Sequence, residues 1–191
     1  LDGDHWNLHS CIGRSLLQEI NPNDVKGLER SKVINNIKNI INKYYHFMGY
    51  IEFSRYMQKK IDVSNLQADK DVKKALEKRK IKSFFDNRLI IIDEVHNIRI
   101  TDDNTNKQTA KLLMKIAKHS HNMKLLLLSA TPMFNSHLEI IWLTNLLNLN
   151  DNRSIISQSD IFDNNGVFLE KDKNHSESGY ELLQRKLIGY V

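Results

Sequence analysis

The chain has 191 residues, 40% of them hydrophobic, with a net charge of +5 and one cysteine, Cys11. That size and apolar content support one domain with its own core and exclude a disordered tail. A lone cysteine excludes an internal disulfide framework and fits a reducing, intracellular setting. No apolar run reaches the length of a membrane span, so no membrane partner is expected, while the positive balance permits a polyanion without requiring one.

In chain order, residues 1–27 mix polar and apolar side chains around Gly3, Gly13, Pro22 and Gly27, a turn-rich start with one short element near Cys11 to Ile20. The opening Leu1-Asp-Gly-Asp-His-Trp6 has neither a basic end nor an apolar core, so it is not a signal peptide. It also lacks an initiator methionine, and the chain is expected to be a fragment. His5, His9 and Cys11 could share a metal, but no structural-zinc pairing of Cys and His follows, so surface histidines and a buried thiol are the expectation. From Leu28 to Asn42, Val33, Ile34, Ile37, Ile40 and Ile41 recur at helical spacing. The aromatic run Tyr44-Tyr-His-Phe-Met48, closed by Gly49, predicts a strand. A helix over about Tyr50 to Lys59 follows, with Phe53, Tyr56 and Met57 inward. Lys70 to Lys82 predicts a basic helix on which Lys70, Lys74 and Lys78 form one ridge. Such a ridge can track phosphates or can be a solvated face with Val72, Ala75 and Leu76 inward.

The chemistry concentrates in Arg88-Leu-Ile-Ile-Ile-Asp-Glu-Val-His96. A continuous apolar run this short predicts a parallel strand buried on both faces. Two acids cannot lie unpaired inside it, so Asp93 and Glu94 should sit at its carboxyl end, where open α/β sheets bind ligands. There, one carboxylate can hold Mg²⁺, directly or through water, and the other can take a proton from an attacking water. After a polar loop rich in Asp, Asn and Thr, the segment from Asn106 to His119 places Ala110, Leu113, Met114, Ile116 and Ala117 on one helical face. His119-Ser-His121 ends that helix, where histidine suits the dipole. Leu125-Leu-Leu-Leu-Ser-Ala-Thr-Pro132 repeats the plan, a buried strand followed by small hydroxyl residues and a proline that stops pairing. Strand, helix, strand of this size is a parallel βαβ crossover, which brings both polar strand ends to one sheet edge. Ser136 and Glu139 have the spacing of a capping box for a helix carrying Ile140, Ile141, Leu143, Leu146 and Leu147. Asn148 to Asp160 is turn-like, Asp163 to Ser178 is expected to be a mobile loop, and the last helix starts near Gly179.

Asp93-Glu-Val-His96 resembles motif II, the DExH box, of superfamily 2 helicases, and Ser129-Ala-Thr131 resembles their motif III. The match is closest to the DExH-type helicases and transcription-associated NTPases of large DNA viruses, the poxvirus-like group. It spans roughly 86–150, with weaker likeness at Tyr44 to Met57 and at Leu182 to Val191. The resemblance implies an α/β fold, a three-layer RecA-like (P-loop NTPase) domain with a parallel sheet, incomplete at the N-terminus. Residues 1–191 would be part of the first RecA-like, ATP-binding domain of such a helicase. It further implies that Asp93 binds Mg²⁺ on the β- and γ-phosphates of ATP and that Glu94 polarises the attacking water. His96 would link the nucleotide site to motif III, and Ser129 and Thr131 would transmit the nucleotide state to the grip on nucleic acid. The implied partners are DNA or RNA, a second RecA-like domain and viral transcription machinery, in the host cytoplasm or the virion.

A P-loop needs Gly-x-x-x-x-Gly-Lys-Ser/Thr, whose backbone amides and lysine cradle the phosphates. None of the seven glycines supplies it; the nearest, Gly13-Arg-Ser15, has Leu8 at the first-glycine position. Motif I is therefore absent, and the chain alone should be inactive. Two alternatives remain open at this point. One is a non-catalytic RecA-like scaffold in a transcription or packaging complex. The other is a Mg²⁺-dependent nuclease drawing on Asp102 and Asp103.

Overall fold

The structure is a computed structural model that describes residues 18–19, 29–98, 104–133, 138–171 and 176–190, in two compact units that meet in sequence between Met48 and Gly49. His5, His9, Cys11, Asp102, Asp103 and Ser136 lie outside the described residues.

In the first unit, helix α1 runs Arg30–Tyr44 and buries Val33. The aromatic run after it is extended, with Tyr45 at φ −122° and ψ 136°, but it joins no sheet among the described residues. The strand expected there does not form. Aromatic residues favour a pleated, half-buried surface, and Tyr45 and Phe47 instead stack on each other at 6.2 Å while remaining exposed.

The second unit holds α2 (Tyr50–Ile61), α3 (Lys70–Phe85), β1 (Leu89–Ile92), a 3-10 turn (Val95–Ile98), α4 (Asn104–His119), β2 (Lys124–Leu127), α5 (Leu138–Asn150), a second 3-10 turn (Gln158–Asp160) and α6 (Gly179–Leu187). β1 and β2 pair in parallel, Leu89 opposite Lys124 through Ile92 opposite Leu127, with α4 as the crossover. Ala110, Leu113, Ile116 and Ala117 are buried, so α4 presents the expected face. They pack with Met57 and Ile61 of α2, Ile81 and Phe85 of α3, Ile92, Val95 and Ile98, and Trp142, Leu143 and Leu146 of α5. A two-stranded pair is marginal by itself, and this cover of helices is what holds β1 and β2.

The sheet is covered on one face. Ile90, Ile92, Leu125 and Leu127 join the core, whereas Leu89, Ile91, Leu126 and Leu128 are exposed. Burial on both faces was expected of β1. Successive residues of a strand point to opposite faces, and no helix covers the second face among the described residues.

A second cluster joins Ile141, Ile156, Ile161, Phe162 and Leu183. α5 is buried nearly all round, so its polar residues bond inward. Asn145 donates to the carbonyl of Ile156 at 2.7 Å and accepts its amide at 2.8 Å. α6 begins at a capping box in which Ser178 Oγ accepts from the Glu181 amide at 3.2 Å and Glu181 Oε2 accepts from the Ser178 amide at 2.8 Å. Gly179 lies so close to Ile161 that a Cβ there would stand 2.0 Å from its carbonyl oxygen. The segment expected to be a mobile loop is ordered at its start: Phe162 bridges Phe168, and Asp163 Oδ1 accepts amides from Asn165 and Val167, each at 2.8 Å.

Candidate functional site

Pairing does not stop with the regular strands. The Leu128 amide donates to the Ile92 carbonyl at 2.9 Å, and the Val95 amide donates to the Leu128 carbonyl at 2.9 Å. These two bonds clamp the strand ends side by side, so that Asp93 and Glu94 leave β1 where Ser129 leaves β2.

Glu94 makes the turn with φ +48°. A left-handed backbone costs an L-residue with a Cβ about 1–2 kcal/mol. Surroundings hold it there. The Asn97 amide donates to the Glu94 carbonyl at 2.9 Å, and the Glu94 amide donates to Asp93 Oδ1 at 3.1 Å. Tyr50, at the first position of α2, donates its hydroxyl to the carbonyls of Asp93 and Glu94, the second at 3.2 Å. Val95 and Ile98, just beyond, are buried and anchor the 3-10 turn in the core.

His96 is the junction. Its Nδ1 lies 2.9 Å from Ser129 Oγ and 3.2 Å from Glu94 Oε2. The imidazole side chain is 18% exposed and the Glu94 side chain 51%, so the ring sits behind an acid that faces solvent. One ring nitrogen cannot donate to the carboxylate and accept from the hydroxyl at the same time. With a proton on Nδ1 it can donate to Glu94 or to Ser129; without it, it can only accept, and Ser129 is the neighbour that can donate to it. Ser129 Oγ also accepts the Thr131 amide at 3.1 Å, which ties the turn after β2 to the same network.

Of the residues singled out in the sequence, Glu94, His96 and Ser129 meet directly. Asp93 stands beside them with its carboxylate exposed, and Thr131, also exposed, enters through its backbone. An accessible acid pair at a strand end fits Mg²⁺, which takes one or two carboxylates and completes its shell with phosphate and water oxygens. Tyr50 was missed. The available signal was its place after Gly49, at a helix start, in the stretch resembling the segment ahead of motif II.

Residues 17–134, more than half of the chain, match the family described as Type III restriction enzyme, res subunit. The chain belongs to that family, and it is a superfamily 2 helicase-type chain. Among curated proteins it is similar to one from Acanthamoeba polyphaga mimivirus, provisionally named an ATP-dependent RNA helicase, at 32% identity over 131 residues. The aligned region covers 62% of this chain and 11% of that protein's length. No solved structure matches the chain at a significant level. No helix among the described residues is long and apolar enough to cross a membrane.

Proposed function

We propose that the chain is part of an ATP-dependent superfamily 2 helicase or translocase that couples ATP hydrolysis to moving on, or remodelling, nucleic acid. It contributes part of a first RecA-like domain and is inactive by itself. Carrying this reading is the shared contact of His96 Nδ1 with Glu94 and Ser129, which joins the ends of two parallel strands through one ionisable ring.

Asp93 would supply the carboxylate that holds Mg²⁺, which when bound would neutralise charge on the phosphates of ATP. Glu94, exposed and adjacent, orients a water and takes its proton. His96 can hold Glu94 when Nδ1 carries a proton and can only accept from Ser129 when it does not. Ser129 and Thr131, on the next strand end, pass that state toward a second RecA-like domain and the nucleic acid. The exposed row Leu89, Ile91, Leu126 and Leu128 is the face that a further helical layer covers in a three-layer domain. The competing reading is a RecA-like scaffold without catalysis inside a transcription or packaging complex.

Two substitutions separate these readings in a protein that carries the complete nucleotide site. Glu94→Gln keeps shape and hydrogen-bonding capacity but accepts no proton. ATP turnover should fall by about 10²–10⁴ while ATP binding persists. Asp93→Asn should weaken binding of Mg²⁺-ATP itself. Single-turnover hydrolysis and nucleotide affinity are the readouts. Turnover of Glu94→Gln within a few-fold of wild type would remove Glu94 as the base, and absence of turnover in the wild type itself would favour the scaffold.

A further inference from the structure

The opposite edge of the sheet carries a second charged feature. Where the C-terminal ends of α3 and α4 come together beside β1 and β2, an open depression of about 560 Å³ is lined by Lys78, Arg79 and Lys82 of α3, Lys118 and His119 of α4, and Asn152, among others. Three other lysines on these helices have partners. Lys74 pairs with Asp71 at 3.9 Å, Lys80 donates to the Asp62 carbonyl, and Lys115 pairs with Glu77. The side chains of Lys78, Arg79, Lys82 and Lys118 make no hydrogen bond or ion pair among the described residues. The nearby acid Asp86 already accepts the His121 amide at 2.6 Å.

Helix dipoles account for part of this. Lys82, Lys118 and His119 occupy last turns, where a cation meets the negative end. They do not account for Lys78 and Arg79, one turn earlier. Burial and the charges of Lys78, Lys118 and Lys115 push the His119 imidazole below its ordinary value, against Glu77, so the local field is positive.

We propose that this depression binds the phosphodiester backbone of nucleic acid, at a site on the edge of the sheet opposite Asp93 and Glu94. Lys78 and Lys82 stand about 6 Å of rise apart along α3 and Lys118 joins them from α4, a spread that suits a line of charges better than one small anion. The depression is open and carries no Phe, Tyr or Trp on which a base could stack, so its contacts are to phosphates and its sequence preference small. The inference rests on the nucleic-acid part of the function proposed above. Its test reads binding alone, so a failure of ATP turnover would leave it standing.

The whole chain is titrated with a labelled single-stranded oligonucleotide at several salt concentrations. Three proteins are compared: wild type, a variant with Lys78, Arg79, Lys82 and Lys118 each changed to Gln, and a control with the exposed Lys38, Lys59, Lys111 and Lys171 each changed to Gln. Circular dichroism checks that each is folded. With each single-strand phosphate contact contributing about 0.7 to the slope of log affinity against log salt, the first variant should lose about 2–3 of slope and tenfold or more in affinity. The control should lose less than half as much. On an oligonucleotide with an uncharged backbone, the first variant and wild type should bind alike. Equal losses in variant and control would reduce the effect to net charge and overturn the proposal. So would binding of tripolyphosphate that needs the four cations while oligonucleotide binding does not.

Discussion

The two edges of the β1–β2 sheet both need left-handed backbone, and they fill it differently. At the amino edge the residues with positive φ are Asn87 at 57° and Asn122 at 51°, the turns into β1 and β2. Asparagine tolerates this region better than other residues with a Cβ. The two also serve each other, Asn122 Nδ2 donating to Asn87 Oδ1 at 2.8 Å, while the Asn87 amide donates to the His121 carbonyl at 3.1 Å. At the carboxyl edge the position falls to Glu94, which has no such tolerance. Strain is thus confined to one edge, and it coincides with the residue proposed as the base. The amino edge is built for stability and carries unpaired positive charge; the carboxyl edge gives up stability to aim an acid.

The largest effect on stability should come from spoiling the tolerant edge. Asn122→Val puts a β-branched side chain at positive φ and removes the bond to Asn87. A loss of about 2–3 kcal/mol is expected, from about 1–2 for the backbone and about 1 for the hydrogen bond. Urea unfolding measures it; a loss below about 0.5 kcal/mol would mean that the Asn pair does not secure this edge.

Next comes the support of the strained edge. Tyr50→Phe removes the hydroxyl that caps the carbonyls of Asp93 and Glu94. It should cost about 0.5–1.5 kcal/mol, with faster hydrogen exchange at the Asn97 amide, which donates to the same Glu94 carbonyl. Unchanged exchange at Asn97 would show that the turn is held by its neighbours in β2 alone.

Relieving the strain should give a smaller effect of opposite sign. Glu94→Gly frees the left-handed position but loses unfolded-state rigidity, so a net gain of up to about 1 kcal/mol is expected, with loss of hydrolysis in a complete ATPase. A destabilised Glu94→Gly chain would argue that the contact of Glu94 with His96 outweighs the backbone cost.

Smallest is the pH response of the amino edge. His119 titrates below its ordinary value near 6.5, through burial first and then Lys78, Lys118 and Lys115. The unfolded chain therefore binds the proton more tightly, and stability falls as pH drops below about 6.5. His119→Gln should flatten that slope in thermal melts at pH 7.5 and 5.5, and identical slopes would remove His119 from the account.

Much of this was legible in the residues because it depends on short-range pattern. The helical spacing of Ala110, Leu113, Ile116 and Ala117 fixed the face of α4, and the last helix does start at Gly179. The apolar runs ending in Asp93-Glu94 and Ser129 implied parallel strands with their polar ends together, and the fold has them so. Tyr44 to Met48 misled because β propensity says that a segment can pair, not that a partner exists.

The sequence by itself determined which stretches bury apolar surface and where the chemistry-bearing residues leave the strands. Those follow from periodicity and from the cost of burying charge, both local properties. Only the tertiary structure decided that the described residues cover one face of the sheet, that Tyr50 reaches the turn after β1, that Glu94 takes a left-handed backbone, and that lysines and arginine from two helices face one depression. Each depends on groups far apart in the chain, whose meeting is set by packing against a common core.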